Sequence, residues 1–192
     1  QNIWSAGITQ NALFLAKLLR NIPFVQDVML LDTGSETSLG PQVDLNKFGT
    51  RMVKMQDAAD QVDVIIEMAG LLDKAWLDLQ RARGKKAIWM CVGHPYAALL
   101  EGTIFRESGF FLGAGRHDAI WMIPGHAASV PLMETMHRCK AEVAPYLWDP
   151  CFLMARKAEI AAAGVDYGYE KAAAQSPSGC HPWELAVFEP NL

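Results

Sequence analysis

The chain alternates between short, continuous apolar runs and longer stretches in which apolar residues recur at helical spacing. Continuous apolar runs are typical of strands buried on both faces, whereas the longer stretches predict amphipathic helices. The apolar runs predict strands at Val28 to Leu31, Arg51 to Met55, Val62 to Met68, Ala87 to Val92, Ala119 to Ile123, Glu142 to Ala144 and Glu184 to Phe188. The periodic stretches predict helices at Gly7 to Leu19, Leu71 to Ala82, Pro95 to Arg106, Ala128 to Arg138 and Cys151 to Ala163.

Strands and helices that alternate roughly every 25 to 30 residues favour right-handed βαβ units. The predicted fold class is therefore α/β, with a doubly wound, mainly parallel Rossmann-like sheet and helices on both faces. The length of 192 residues fits one domain. A Gly- and Ser-containing segment over residues 165–181 is predicted to be a flexible excursion before the last strand.

The composition of the chain argues against several classes of function. The formal net charge is −4 and lysines and arginines are not clustered, which argues against nucleic acid as a partner. The sequence has no apolar run long enough to cross a bilayer, and its first residues lack a secretory signal. The four cysteines lie far apart without C-x-x-C spacing, as expected of reduced thiols in a cytoplasmic protein.

Familiar catalytic and cofactor motifs are also missing from the sequence. No G-x-G-x-x-G or Walker A motif follows a strand, which argues against a dinucleotide site or a P-loop. There is no G-x-S-x-G elbow, no H-E-x-x-H and no histidine and carboxylate cluster at ligand spacing. The sequence therefore predicts no cofactor and no metal.

Two Gly-His turns occur at equivalent places in successive βαβ units. Gly93-His94-Pro95 and Pro124-Gly125-His126 each follow a predicted strand, where ligands bind in doubly wound sheets. His94 and His126 are thus candidate catalytic residues. The alternative is that each imidazole caps a helix or bonds a neighbouring carbonyl. His137 is interpreted as a surface residue, and His117 as a polar residue where a strand begins.

Two further segments carry candidate binding residues. Gly7, Gln10 and Asn11 lie at the start of the first helix, where backbone N–H groups favour a polar ligand. The alternative, which these residues alone favour, is a helix cap with Trp4 packing against the helix as a hydrophobic staple. In the turn Pro145 to Pro150, the prolines hold Trp148 and Asp149 near a strand end. These two side chains either line a sugar or pack a rigid turn.

Several of these segments resemble one known family. The start Gln-Asn-Ile-Trp-Ser-x-Gly-Ile-x-Gln-Asn, the strand Ala-Ile-Trp-Met-Ile-Pro-x-His, the turn Pro-x-x-Trp-Asp-Pro and the end Phe-Glu-Pro-Asn-Leu are similar to an uncharacterised bacterial family. That family in turn resembles glycosyltransferases of the GT-B fold. The resemblance spans nearly the whole chain.

The resemblance implies that the chain is the amino-terminal half of a two-domain protein, with a first strand before Gln1 and a second domain after Leu192. This half would present the acceptor side of a cleft, and the second domain would bind most of a nucleotide-sugar donor. Gly7, Gln10 and Asn11 would face the donor phosphate or sugar. His94 and His126 would line the acceptor side, with Trp148 and Asp149 as acceptor-binding residues.

The resulting expectation is glycosyl transfer from a nucleotide sugar to an unknown acceptor, with the isolated chain inactive. Two alternatives stay open. A sugar-nucleotide epimerase on the same fold would need acid and base groups clustered in the cleft. A non-catalytic carbohydrate-binding or scaffold domain would bind sugar without turnover.

Overall fold

The computed structural model describes residues 7–33, 43–68, 72–95 and 115–151, together with 158, 161 and 162. The helices are α1 (Gly7–Arg20), α2 (Met55–Ala58), α3 (Lys74–Ala82) and α4 (Val130–His137), and 3-10 turns span Leu45–Phe48 and Pro124–Ser129. The strands are β1 (Met29–Asp32), β2 (Arg51–Lys54), β3 (Val64–Glu67), β4 (Lys86–Cys91), β5 (Ala119–Met122) and β6 (Lys140–Val143).

The described strands form two parallel sheets. One sheet pairs β1 with β2, starting from Met29 opposite Arg51. The other has the order β3-β4-β5-β6, and all of its neighbouring strands are parallel. Because strands that are neighbours in sequence are also neighbours in this sheet, the loops after β4 and β5 emerge side by side at its carboxyl edge.

One face of the four-stranded sheet carries two clusters of buried hydrophobic residues. Ile65 lies opposite Ala87, and Glu67 lies opposite Trp89, so these four side chains share a face. Leu77 of α3 belongs to the same buried cluster as Ile65 and Ala87. The cluster around Trp89 has the following members: Cys91, Ile120, Met122, Ala141 and Met133 of α4. Helices α3 and α4 therefore cover this face, and Met90 of β4 points to the opposite one.

Local sequence explains where α3 begins and ends. Asp73 caps its amino terminus, because its carboxylate accepts a hydrogen bond from the backbone N–H of Trp76 at 2.8 Å. At the other end, Gly84 has a φ of 84°, a left-handed conformation that favours glycine and reverses the chain into β4. The buried residues Leu77 and Gln80 lie on one side of the helix.

The structure confirms that the protein is α/β with parallel strands, and every described element from the sequence prediction is found. It adds a 3-10 turn at Leu45–Phe48 and the short helix α2 within segments expected to be irregular or extended. The turn forms because Asp44 caps Asn46 and Gly49 ends it with a φ of 62°. Elements of only four residues are too short to show a helical periodicity of apolar residues, so the sequence pattern does not predict them.

Four predictions fall outside the described residues: the helix after Pro95, most of the helix from Cys151 to Ala163, the flexible excursion over residues 165–181, and the strand at Glu184 to Phe188. Contacts divide the chain into two units, Gln1–Trp148 and Asp149–Leu192, and all of the elements named above lie in the first. That residues 1–192 form a single domain remains a prediction. Within the described ranges, no helix has the length and apolarity required to traverse a lipid bilayer.

Candidate functional site

Two histidines meet at the carboxyl edge of the four-stranded sheet. β4 and β5 end level with each other, since Cys91 lies opposite Met122. Val92 and Gly93 lead from β4 to His94, and a short turn leads from β5 to His126. The two imidazole centroids lie 4.9 Å apart with their planes at 79°, an edge-to-face contact. The structure thus brings together the two residues predicted to be catalytic.

His126 occupies an irregular backbone position. The 3-10 turn Pro124–Ser129 is interrupted at His126, where φ is −114° and ψ is 15°. Partial burial lowers the pKa of His126, and the nearby charge of His94 lowers it further. The imidazole of His126 is therefore predominantly neutral near pH 7 and is able to accept a proton.

A cavity of about 30 Å³ lies on the face of the sheet opposite α3 and α4. Six residues line it: Asn11, Met90, Val92, Ile123, Tyr146 and Leu147. Met90 and Leu147 are buried and form its floor, whereas Tyr146 is 70% exposed and lies at its rim. Val92 directly precedes Gly93-His94, and Ile123 directly precedes Pro124-Gly125-His126, so two walls of the cavity lead in sequence into the turns that carry the histidine pair.

One of the residues predicted to face the donor sugar or phosphate lines the cavity. Asn11 is half-buried in α1 and lines the cavity, and Gln10 is half-buried beside it in sequence. Gly7 begins α1 and is exposed, and a Cβ added to it would meet no described atom within 4 Å. Of the three residues, the structure therefore brings only Asn11 to the carboxyl edge.

The predicted acceptor-binding pair falls at the boundary between the two units of the chain. Trp148 is 67% exposed and ends the first unit. Asp149 begins the second unit, where its carboxylate accepts a hydrogen bond from the backbone N–H of Cys151 at 2.9 Å. An exposed indole is available to stack on a sugar ring, and binding by Trp148 and Asp149 remains a prediction.

A buried ionic cluster in the core was not predicted from the sequence. Arg116 donates two hydrogen bonds to the carboxylate of Glu67, from Nε at 3.0 Å and from Nη2 at 2.6 Å. Nε2 of His117 contacts the same carboxylate, and all three side chains are at least nine-tenths buried. We call Glu67, Arg116 and His117 the core ionic cluster.

The core ionic cluster fixes the chain after β3. Oε1 of Glu67 accepts the backbone N–H of Leu72 at 2.6 Å, and Nη2 of Arg116 donates to the Leu72 carbonyl at 2.7 Å. Burial alone would raise the pKa of Glu67, but hydrogen bonds from His117, Arg116 and Leu72 outweigh it and lower the pKa to about 2. The carboxylate of Glu67 therefore stays ionised, and the cluster connects the loop before α3 to the start of β5.

The interpretation of His137 as a surface residue is wrong. His117, interpreted as a polar residue where a strand begins, does lie two residues before β5, but its side chain is buried. His117 is 3% exposed and His137 is 1% exposed. His137 lies beside Trp89, with ring centroids 5.1 Å apart, because it follows Met133 by one helical turn on the buried side of α4. Burial, and then the proximity of His117, lowers the pKa of His137 to about 4. Neither of its ring nitrogens has a hydrogen-bond partner among the described residues.

The described parts of the chain contain no group of three or more His, Cys, Asp or Glu side chains placed to hold a metal ion. The three cysteines in those parts are free thiols, of which Cys91 is buried. Burial raises the pKa of Cys91 to about 11, so this thiol is a poor nucleophile near pH 7. The histidine pair and the adjoining cavity are therefore the strongest candidate site.

The sequence model of one family, described as "Protein of unknown function (DUF2827)", matches residues 1–192. No curated protein and no solved structure matches the chain significantly.

Proposed function

The chain belongs to the DUF2827 family, and we propose that it contributes the acceptor side of a cleft for glycosyl transfer from a nucleotide sugar. The observation that carries the proposal is the edge-to-face contact between His94 and His126 at the carboxyl ends of β4 and β5. In open parallel α/β sheets, this edge is where ligands bind. The GT-B-like reading of the fold and a cytoplasmic location belong to the same proposal.

The proposed chemistry needs a base. An acceptor hydroxyl loses its proton to the neutral imidazole of His126 while its oxygen forms a bond to the anomeric carbon of the donor sugar. The bond between that carbon and the nucleotide phosphate breaks, and the nucleotide leaves as its diphosphate. His94 lies in contact with His126 and keeps its pKa low, which maintains the neutral base near pH 7.

The first test is calorimetric titration of UDP- and GDP-sugars into the chain of 192 residues and into a chain extended by the strand and second domain that the resemblance implies. Binding by the extended chain alone supports a shared cleft. Tight binding by the 192-residue chain would place the donor site in this half instead. Binding by neither chain would contradict glycosyl transfer.

The second test addresses the base. In an extended chain that turns over, His126→Ala should lower kcat by about 10²- to 10⁴-fold, the usual contribution of a general base. The matched control is His137→Phe, which removes a histidine from the core and should leave kcat unchanged. Equal losses in the two variants would show that the effect is structural.

A non-catalytic carbohydrate-binding domain is the second candidate. It is favoured by the exposure of Tyr146 and Trp148, since aromatic faces bind sugars without any chemistry. This candidate predicts saturable sugar binding without turnover, and binding that tolerates His126→Ala. A sugar-nucleotide epimerase would need ionisable acid and base groups at the same edge. The histidines that meet at this edge are the candidates for those groups.

A further inference from the structure

We propose that the cavity beside the histidine pair is a subsite for the acetamido group of an N-acetylated sugar. The inference rests on the proposed function, because it assumes that a sugar binds at this edge of the sheet, and it names the class of that sugar. It is carried by the size, the lining and the position of the cavity.

The size and depth of the cavity suit one small apolar group. Its volume is about 30 Å³, enough for about one or two water-sized groups. Met90 is 1% exposed and Leu147 is 8% exposed, so two of the apolar lining residues are buried, and the cavity itself is partly open to solvent. Four of the six lining residues have apolar side chains, so a methyl group placed in the cavity would gain contact with them.

The polar residues of the lining lie nearer the surface. Asn11 is half-buried and Tyr146 is largely exposed, so polar groups border an apolar floor. The side-chain amide of Asn11 offers both donors and an acceptor, which match the carbonyl and the N–H of an acetamido group. In this arrangement, the methyl of the acetamido group contacts the apolar side chains, and its amide lies beside the polar ones. A charged phosphate would lose hydration against the apolar floor without an opposite charge.

The position of the cavity connects the subsite to the proposed chemistry. Its walls include Val92 and Ile123, which lead directly into the Gly-His turns. A sugar anchored by its acetamido group would therefore lie beside His94 and His126. The shared chemistry is the acetamido group, whether the sugar is the nucleotide-linked donor or a free acceptor glycoside.

The experiment compares sugars that differ only at this substituent, by saturation-transfer NMR, which detects millimolar affinities. The ligands are N-acetylglucosamine, glucose and N-propionylglucosamine, each tested as the methyl glycoside and as the UDP-linked sugar. Burial of one methyl and one additional hydrogen bond should make the acetamido sugar bind about tenfold more tightly than glucose. Its methyl protons should receive the strongest saturation. Preference in the UDP-linked series alone identifies the donor, and preference in the glycosides alone identifies the acceptor.

Three variants test whether the preference for the acetamido sugar arises at this cavity. Val92→Phe fills the cavity and should abolish the preference for the acetamido sugar while glucose still binds. Asn11→Ala removes the amide without filling the cavity and should reduce the preference several-fold. The matched control is Val64→Phe at the start of β3, where Val64 is 49% exposed and far along the strand from the carboxyl edge.

The outcomes separate this inference from the proposed function. Equal binding of the acetamido sugar and glucose would overturn the subsite while leaving sugar binding intact. Tight binding of the propionyl sugar would also overturn it, because the longer group exceeds the cavity. Failure of every sugar to bind would contradict the proposed function and the subsite together. If Val92→Phe does not fold, the Asn11→Ala result decides.

Discussion

The molecule contains two groups of ionisable side chains that differ in their surroundings. The core ionic cluster is buried and densely hydrogen-bonded, with one carboxylate between Arg116 and His117. The pair of His94 and His126 lies at the carboxyl edge of the sheet, and His94 is exposed. In the core ionic cluster, opposite charges attract each other. At the carboxyl edge, His94 and His126 repel each other when both imidazoles are protonated.

This difference separates a structural role from a functional one. In the core ionic cluster, every oxygen of Glu67 has a partner, so the carboxylate has no capacity left for a substrate. At the carboxyl edge, a lowered pKa keeps His126 neutral and able to exchange a proton. The comparison predicts that changes in the cluster alter stability and that changes at the edge alter protonation and binding.

The largest expected effect is loss of the Glu67 carboxylate. Glu67→Ala leaves Arg116 buried without its counter-charge and should lower the free energy of unfolding by about 3–5 kcal/mol, measured by urea denaturation. Glu142→Ala is the control, because Glu142 pairs with Lys140 at the exposed surface and its loss should leave the denaturation midpoint unchanged.

A double variant tests whether the charge imbalance causes that loss. Glu67→Met combined with Arg116→Met removes both charges and should recover part of the stability lost in Glu67→Ala. If the double variant is no more stable than Glu67→Ala, lost packing rather than an uncompensated charge explains the effect.

The next effect concerns stability in acid. Burial lowers the pKa of His137 from 6.5 to about 4, so the unfolded chain binds a proton at a higher pH than the folded protein. Stability from this group is complete above pH 6.5 and is lost as pH falls towards 4, on the order of 3 kcal/mol in total. His137→Phe should abolish the decline between these pH values, measured as denaturation midpoints across pH.

Glu67 should cause a separate loss of stability at lower pH, which serves as a reference in the same measurement. Its pKa is lowered from 4.5 to about 2, so its contribution is present above pH 4.5 and is lost as pH falls towards 2. His137→Phe should therefore retain the decline below pH 4.5. A variant that still loses stability between pH 6.5 and 4.5 would show that another group titrates there.

Asp118 should give an intermediate effect, because it is only partly buried. Its carboxylate accepts the backbone N–H of Ala87 at 2.8 Å and pairs with Arg81 at 3.3 Å. Asp118→Ala should cost about 1–2 kcal/mol in urea denaturation. Asp63→Ala is the matched control, since the Asp63 carboxylate is 94% exposed in its pair with Lys85 and should contribute little.

The sequence predicted the parallel α/β class and the placement of the two histidines for the same reason. Apolar runs such as Ala87 to Val92 mark buried parallel strands, and the residues after parallel neighbours must emerge at one edge. That rule places His94 and His126 together without knowledge of side-chain geometry. It does not specify their 4.9 Å separation, which depends on the irregular backbone at His126.

The core ionic cluster was missed because its members are read separately as polar. Glu67 ends a strand, Arg116 and His117 precede another, and a long intervening segment separates them in sequence. Only tertiary packing makes them partners. The burial of His137 did leave a signal, since Met133 and His137 are four residues apart on α4 and so share one face.

The smallest effect tests the electrostatic contact at the carboxyl edge. Partial burial is the larger cause of the low pKa of His126, and the charge of His94 is the second. His94→Phe keeps an aromatic ring beside His126 but removes the charge, so the pKa of His126 should rise. His94→Ala also exposes His126 to water, so the pKa should rise further. NMR titration of the imidazole protons should therefore give the order wild type, His94→Phe, His94→Ala. An identical pKa in the wild type and His94→Phe would show that the two rings do not interact electrostatically, and it would remove the role proposed for His94 in keeping the pKa of His126 low.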